Sequence, residues 1–244
     1  RGAGTGLSGG AVGDGLIVDF ARHNQAIWDF DKEKCTVRVG AGVVLDQLNH
    51  FLRAEGFCFG PDVATSSRAT LGGMIANDSS GTHAAVYGTT GQHVNELELI
   101  LCDGKITRVG AHLESLHHQR QIVDDLVALN SLQISERFPP GLLKRWPGYG
   151  LARAMEQPGN LVPILCGSEG TLAGIFSAEL EVVPRREERG AGLCDCLGEE
   201  RGFAAPLPLP PPPPLSPPCR CCCCCSFCCC VCCSAPWRRP RREC

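Results

Sequence analysis

Apolar positions along this chain switch between a period of two and a period near 3.6, and Gly-rich stretches mark the switches. Leu16 to Phe20 is a short apolar run that reads as a buried strand. Ile27 to Phe30 and Cys35 to Val39 read as further short strands around the polar turn Asp31-Lys32-Glu33-Lys34. Gly40-Ala41-Gly42 then breaks the pattern. From Val43 to Glu55 the apolar residues Val44, Leu45, Leu48, Phe51 and Leu52 recur at helical spacing, and Gly56 ends the helix. Asp46, Gln47, Asn49 and Arg53 form its solvated face.

A second helix is expected to start just after Thr70, whose hydroxyl suits a cap, with Gly72-Gly73 allowing close backbone approach. Leu97 to Cys102 and Ile106 to Val109 predict a hairpin across Asp103-Gly104. Glu114 to Glu136 contains neither Gly nor Pro and predicts one long helix carrying Leu116, Ile122, Val123, Leu126 and Leu129. His117 and His118 fall at its polar start as surface residues. Leu161 to Cys166 is a short apolar run, and Ile175 to Val183 alternates as a strand toward Pro184.

Composition divides the chain in two. Of its 18 Cys, only Cys35, Cys58, Cys102 and Cys166 precede residue 190, among apolar neighbours where a buried thiol is the ordinary reading. Cys194 and Cys196 follow, and the rest lie between Cys219 and Cys244, after a Pro-Leu run from Pro206 to Pro218. No structural period survives there, so residues 187–244 read as a low-complexity, disordered tail. The C-x2-C-x2-C spacing of Cys222, Cys225 and Cys228 arises in any Cys run and does not specify a cluster. A formal charge of −3 gives no reason to expect nucleic acid, and no apolar run approaches the ~18 residues that span a bilayer. The chain opens on Arg1 rather than Met, which reads as a fragment.

Chemistry is concentrated in three Gly/Ser/Thr turns. The first, Arg1 to Gly10, carries Gly2, Gly4, Gly6, Gly9 and Gly10 with Thr5 and Ser8 and no acid. Its backbone N–H groups can turn inward together around a phosphate. Gly4, Gly6 and Gly9 also match G-x-G-x-x-G, but that fingerprint needs a strand before it and a helix after it, and here a turn leads into a strand. The second turn runs from Phe59-Gly60-Pro61-Asp62 through Thr65 to Gly81. Its helix start, preceded by hydroxyls, suits a phosphate or a polar ring edge. The third is Gly167-Ser168-Glu169-Gly170-Thr171-Leu172. Phe138 to Gly150, broken by Pro and Gly, carries Lys144, Arg145, Trp146 and Tyr149.

In this order, RGAGTGLSGG, PDVATSSRATLGGMIANDSSG, YGTTG with VNELELILCDG, and GSEGTLAGIFSAELEVVP resemble the FAD-binding domain of the vanillyl-alcohol-oxidase and p-cresol-methylhydroxylase (PCMH) type. Within it the resemblance is to the FAD-linked D-2-hydroxyacid dehydrogenases, the group that includes the FAD-linked component of glycolate oxidase, D-lactate dehydrogenase and D-2-hydroxyglutarate dehydrogenase. The resemblance implies an α+β fold over residues 1–186. It implies noncovalent FAD: members with a covalent link use a specific His, and His83 lies near the ring segment, but the close relatives bind FAD noncovalently. Gly2, Ala3, Gly4, Thr5, Gly6, Leu7 and Ser8 would wrap the pyrophosphate. Pro61, Asp62, Thr70, Gly72, Gly73, Asn77, Ser80 and Gly81 would line the ribityl and the isoalloxazine. Glu169, Gly170 and Ile175 would form a third contact, and the backbone of Val94 to Glu98 would reach the adenosine half.

The implied activity is oxidation of a D-2-hydroxy acid to the 2-oxo acid by hydride transfer to flavin N5, with a separate electron acceptor. A cytoplasmic or membrane-peripheral location goes with it. The strand and helix that open the family's domain, and the substrate domain that closes it, have no counterpart here, so the general base is not assigned. Arg145 and Tyr149 are the flavin-proximal candidates. Two other readings fit the same residues: a truncated, catalytically incompetent fragment, and a nicotinamide-dependent flavin reductase of the same fold.

Overall fold

The computed structural model describes residues 1–138 and 148–185. Lys144, Arg145, Trp146, Cys194, Cys196, the Pro/Cys-rich tail and the expected boundary at residue 186 all lie outside the described residues.

The first two strands, β1 (Ile27–Asp31) and β2 (Thr36–Gly40), pair antiparallel around the Asp31 turn. The Asp31 carboxylate accepts from the N–H groups of Glu33 and Lys34 and thereby closes that turn. Helix α1 (Leu45–Arg53) follows and buries Leu45, Leu48 and Leu52, the apolar stripe of the sequence. Phe51 stays at the rim, edge-on to Phe30. A short strand β3 (Phe57–Cys58) leads to α2 (Leu71–Asn77), capped by the Thr70 hydroxyl accepting from the Gly73 N–H at 3.3 Å.

After a one-turn helix α3 (Ala84–Tyr87) and a 3-10 turn (Thr90–His93), β4 (Val94–Ile100) and β5 (Ile106–Gly110) form the expected hairpin. Four helices come next: α4 (His117–Leu129), α5 (Ser131–Arg137), α6 (Leu151–Glu156) and α7 (Val162–Leu165). The described part ends with β6 (Gly174–Glu181) and β7 (Val183–Pro184), the latter paired with β3.

The main sheet is antiparallel throughout, in the order β1-β2-β6-β4-β5. The last long strand is therefore inserted at its centre. One face buries Val37 and Val39, Leu97 and Leu99, Val109, and Ala178 and Leu180 against α1 and α2. The other face is polar and ordered by charge. Arg38 of β2 donates to Glu179 of β6 at 2.7 Å and to Glu96 of β4 at 2.5 Å, and Arg108 of β5 also donates to Glu96. Glu96 and Glu179 sit opposite each other in register, so Arg38 turns a like-charge pair into a bridge across three strands.

Three sequence expectations change. Leu16 to Phe20 is not a strand: Leu16 is 95% exposed, Ile17 and Val18 are about half exposed, and only Phe20 packs on the core. Its backbone bonds run from the Phe20 N–H to the Arg1 carbonyl, from the Arg1 nitrogen to the Val18 carbonyl and from the Asn24 N–H to the Phe20 carbonyl, and these do not build a strand ladder. The expected long helix is two. Asn130 sits at φ −110°, ψ 14°, and its side-chain amide donates back to the Leu126 carbonyl, which competes with the helical ladder and splits α4 from α5. Leu129 and Leu132 flank that break and are exposed. Among the four early cysteines, Cys166 is fully buried, Cys35 and Cys58 are half-buried, and Cys102 is exposed at the end of the hairpin's first strand. Leu161 to Cys166 folds as the single turn α7, with Pro163 in its first turn, where a missing N–H costs nothing.

The charge bridge makes the sheet acid-sensitive. Partial burial works against the Glu96 carboxylate, but the hydrogen bonds and charges of Arg38 and Arg108 outweigh it and hold Glu96 below the ordinary carboxylate range. A depressed folded value means that the bridge contributes fully above the unfolded value and loses its contribution as pH falls through the folded one. We expect Glu96→Gln to lower the unfolding free energy at pH 7 by about 1 kcal/mol and to flatten the stability loss between about pH 5 and pH 3. Urea titrations across that range check it.

Candidate functional site

The three Gly-rich turns converge on α2. Its N-terminal end meets the first turn: a Cβ on Gly2 would lie 2.0 Å from the Thr70 hydroxyl, so only Gly permits this approach. At the other end of the loop, a Cβ on Gly10 would lie 3.2 Å from a carboxylate oxygen of Glu169 in the third turn. The first loop is thus held between the second and third turns. The third turn docks on the C-terminal end of α2, where the Gly167 N–H donates to the Ile75 carbonyl at 3.0 Å and the Glu169 N–H to the Ala76 carbonyl at 2.9 Å. These are carbonyls that a helix end leaves without intrahelical partners.

Between these anchors, the N–H groups of Gly2, Ala3, Gly4, Thr5, Gly6, Leu7 and Ser8 make no hydrogen bond among the described residues. Gly4 at φ +71° and Gly9 at φ +78° give the loop its left-handed bends. A solvated loop whose N–H groups have no partner among the described residues could hold an anion with several oxygens. The Arg1 side chain pairs with Asp19 at 3.5 Å on the surface.

The start of α2 is a different matter. The Leu71 N–H donates to the Val43 carbonyl, the Gly72 N–H to the Ala41 carbonyl and the Gly73 N–H to Thr70. The expectation that this helix start would seat a phosphate is therefore corrected: its first N–H groups are already spent on protein. Gly72 is buried with its α-carbon against Ala41, where a Cβ would come within 2.6 Å of the Ala41 methyl. That Gly serves helix-to-sheet packing.

The remaining candidates fall into two groups. Pro61, Asp62, Ser80 and Gly81 lie together, because the Thr82 N–H donates to the Asp62 carbonyl and a Cβ on Gly81 would overlap that oxygen at 1.4 Å. Asn77 is exposed at the end of α2 and donates to the Ser79 hydroxyl at 2.9 Å. Glu169 (φ 54°) and Gly170 (φ 78°) form consecutive left-handed residues at the tip of the third turn. Ile175 is buried in the sheet opposite Leu99. His83 is exposed, 3.9 Å from the Asp62 carboxylate and edge-on to Tyr87. Tyr149 bonds through its hydroxyl to the Thr171 hydroxyl at 2.9 Å. The backbone of β4 pairs with β6 from Val94 and with β5 from Glu96 onward, so of Val94 to Glu98 it is Val94 and Asn95 that lie outside the pairing with β5.

Sequence reasoning missed the polar centre beneath these turns. Arg153 on α6 is 5% exposed and Asp78, just past α2, is 12% exposed; they pair at 2.6 Å. The other Asp78 oxygen accepts from the Gly91 N–H at 2.7 Å. The signal was a charged residue in the small, apolar run Leu151-Ala152-Arg153-Ala154-Met155, where an exposed face would be expected to carry more than one. Beside the pair, burial pushes the Cys166 thiol up to about 12, with the Asp78 charge adding to it. That thiol is inert packing. Among the described residues there is no group of His, Cys, Asp and Glu able to hold a metal ion, and no helix is long and apolar enough to cross a membrane.

Comparison with known proteins identifies the ligand class. Residues 1–110 match the family described as FAD binding domain. The chain is 39% identical over 198 residues to the D-2-hydroxyglutarate dehydrogenase of Pantoea ananatis (strain AJ13355), covering 75% of this chain and 19% of that protein. It is 37% identical over 207 residues to that of Escherichia coli (strain K12), with 75% and 19% covered. It is 31% identical over 190 residues to the D-lactate dehydrogenase of Archaeoglobus fulgidus (strain ATCC 49558 / DSM 4304 / JCM 9628 / NBRC 100126 / VC-16), with 77% and 33% covered. The chain thus spans 19% of the length of the first two relatives.

Two outcomes test the geometry. Gly81→Ala, forced against Asp62, is expected to cost about 2 kcal/mol or more in urea unfolding, whereas Gly6→Ala, with no atom within 4 Å of its Cβ, stays within about 0.5 kcal/mol of the parent. Thiol labelling with peptide mapping is expected to modify Cys102 in the native protein and to reach Cys166 only after unfolding.

Proposed function

We propose, on the premise that residues 1–110 are an FAD binding domain and FAD is its cofactor, that the chain is the cofactor-holding part of a flavin-dependent D-2-hydroxyacid dehydrogenase. One observation carries this reading. The N–H groups of Gly2 to Ser8 have no partner among the described residues, in a loop that passes close to Thr70 on one side and Glu169 on the other, which fits the two phosphates of a dinucleotide.

In this reading FAD is held noncovalently and supplies the hydride-accepting ring. The chain's own residues bind and orient it. Gly2 to Ser8 donate to the pyrophosphate. Pro61, Asp62, Ser80 and Gly81, brought together by the Asp62–Thr82 bond, form a small-residue wall for a flat ring. Thr70, Gly72 and Gly73 act by setting α2 against the sheet, and Glu169 and Gly170 close the rim. The substrate is a small D-2-hydroxy acid of the glycolate, D-lactate or D-2-hydroxyglutarate class, and a separate acceptor reoxidises the flavin. The base that takes the hydroxyl proton is assigned to the remaining length that the relatives have and this chain does not span.

The test is an FAD titration of the full chain, followed by flavin fluorescence and the visible spectrum. Saturable binding, lost in a Gly4→Asp, Gly6→Asp double variant that keeps its unfolding curve, is expected. Binding that survives both carboxylates would overturn the loop as the pyrophosphate seat. Bleaching of bound flavin by D-2-hydroxyglutarate or D-lactate supports the dehydrogenase, and bleaching by NADPH alone would replace it with the reductase.

A further inference from the structure

Position 78, immediately after α2, adopts the left-handed conformation at φ 48°, ψ 49°, with the Ser79 N–H reaching back to the Met74 carbonyl at 2.9 Å. That cap geometry is ordinarily taken by Gly, because a side chain there strains the backbone. Here it is Asp. Its carboxylate is fully used: Oδ1 accepts from Gly91 N–H at 2.7 Å and Oδ2 from Arg153 Nη2 at 2.6 Å. Arg153 Nη1 reaches the Thr89 hydroxyl at 3.4 Å, and Arg153 Nε is buried with no partner among the described residues.

Neither a strained Asp nor a buried cation with an orphaned N–H is a choice made for stability. A buried ion pair of this kind is often matched or bettered by apolar residues of the same volume, so its presence points to a need for position. The space around it is cut to fit. A Cβ on Gly91 would meet Arg153, Cys166 and Asp78 all within 2.8 Å, and one on Gly150 would come within 3.2 Å of the guanidinium.

What the pair positions follows from the chain on either side. Asp78 begins the segment Ser79-Ser80-Gly81. Thr90 holds the Ser79 carbonyl from its own N–H at 2.8 Å and its hydroxyl at 2.7 Å, and Ser80 bridges to Thr89. Gly81 then lies against Asp62. Arg153 thus fixes one end of the turn whose other end forms the proposed wall for the flavin ring.

We propose that Arg153 is a positioning residue for the Ser79–Gly81 turn, acting through Asp78 and setting the environment of the bound flavin. The proposal rests on the FAD reading above for what the turn faces, and on the geometry alone for what holds the turn.

The experiment has two arms on the full chain. Amide hydrogen exchange without added FAD reads the turn directly. In Arg153→Met, the amides of Ser79, Ser80, Gly81 and Gly91 are expected to exchange at least tenfold faster while those of β4 and β6 keep their protection. FAD titration reads the consequence: at least tenfold weaker binding and a shifted visible band for bound flavin, with Arg153→Lys partly restoring both. Asp78→Asn, which keeps the shape and the Gly91 contact but loses the charge, should reproduce the effect, and it serves as the deciding variant if Arg153→Met loses protection in the strands as well. Unchanged exchange at the turn in Arg153→Met or Asp78→Asn overturns the proposal. Faster exchange with an unchanged flavin spectrum and affinity overturns the link to the flavin. If the parent chain takes up no FAD, the cofactor reading fails, while the exchange arm still decides whether Arg153 holds the turn.

Discussion

Helix α2 has seven residues, too few to hold itself together in water, yet three separate turns depend on where it lies. Its backbone termini explain how. At the start, the N–H groups of Leu71 and Gly72 are taken by the carbonyls of Val43 and Ala41 at the end of β2. At the finish, Ile75 and Ala76 give their carbonyls to Gly167 and Glu169. The helix is therefore a hydrogen-bonded link between the sheet and the third turn, and Leu71, Met74 and Ile75 bury its apolar side. Moving it would break bonds to the sheet and to the third turn and uncover core at once, which is why loops so rich in Gly keep a defined arrangement.

The sheet imposes the same interdependence over a longer distance. Strand β6 comes last in chain order among the strands of the main sheet but lies between β2 and β4, so the hairpin of β4 and β5 cannot join β1 and β2 until residues 174–181 are in place. Pairing across that sequence separation carries a loop-closure cost that only the completed sheet repays. The third turn feeds directly into β6, and the docking of Gly167 and Glu169 on α2 sets where that strand enters. Sheet closure and assembly of the three turns are thus one event. The Arg38 bridge adds specificity to it, because a slip of β2 against β6 would leave Glu96 and Glu179 facing each other without Arg38 between them.

Local chemistry was readable in the sequence where a residue acts on its own neighbours. The stripe of Leu45, Leu48 and Leu52, the Thr70 cap and the Asp103-Gly104 hairpin all depend on contacts within a few residues, and each is where the pattern put it. Leu16 to Phe20 looked like a strand because apolar runs are also what unpartnered edges are made of, and pairing is not a local property. Asn130 broke a helix that composition alone would continue, through one bond to Leu126. The helix start at Thr70 resembled an anion seat because sequence cannot show that Val43 and Ala41 have already claimed its N–H groups. Asp78 and Arg153 are 75 positions apart, and nothing in either neighbourhood names the other.

These misses sharpen the reading of the site. With the N–H groups at the start of α2 taken, the proposed anion seat is the first loop, which would rely on N–H groups that have no partner among the described residues in a solvated bend. Such a loop gives a ligand little orientation by itself. Orientation must come from its anchors, and those are close approaches to Thr70 and Glu169, both fixed by α2. The Glu169 carboxylate beside Gly10 also gives the loop an electrostatic direction: phosphate oxygens are favoured toward Gly2 to Ser8 and disfavoured toward Gly10. A dinucleotide laid along the loop would therefore run its phosphates past Thr70. Its uncharged ring would then lie toward the proposed wall of Pro61, Asp62, Ser80 and Gly81, in the chain segment that leads on from the buried Arg153–Asp78 pair.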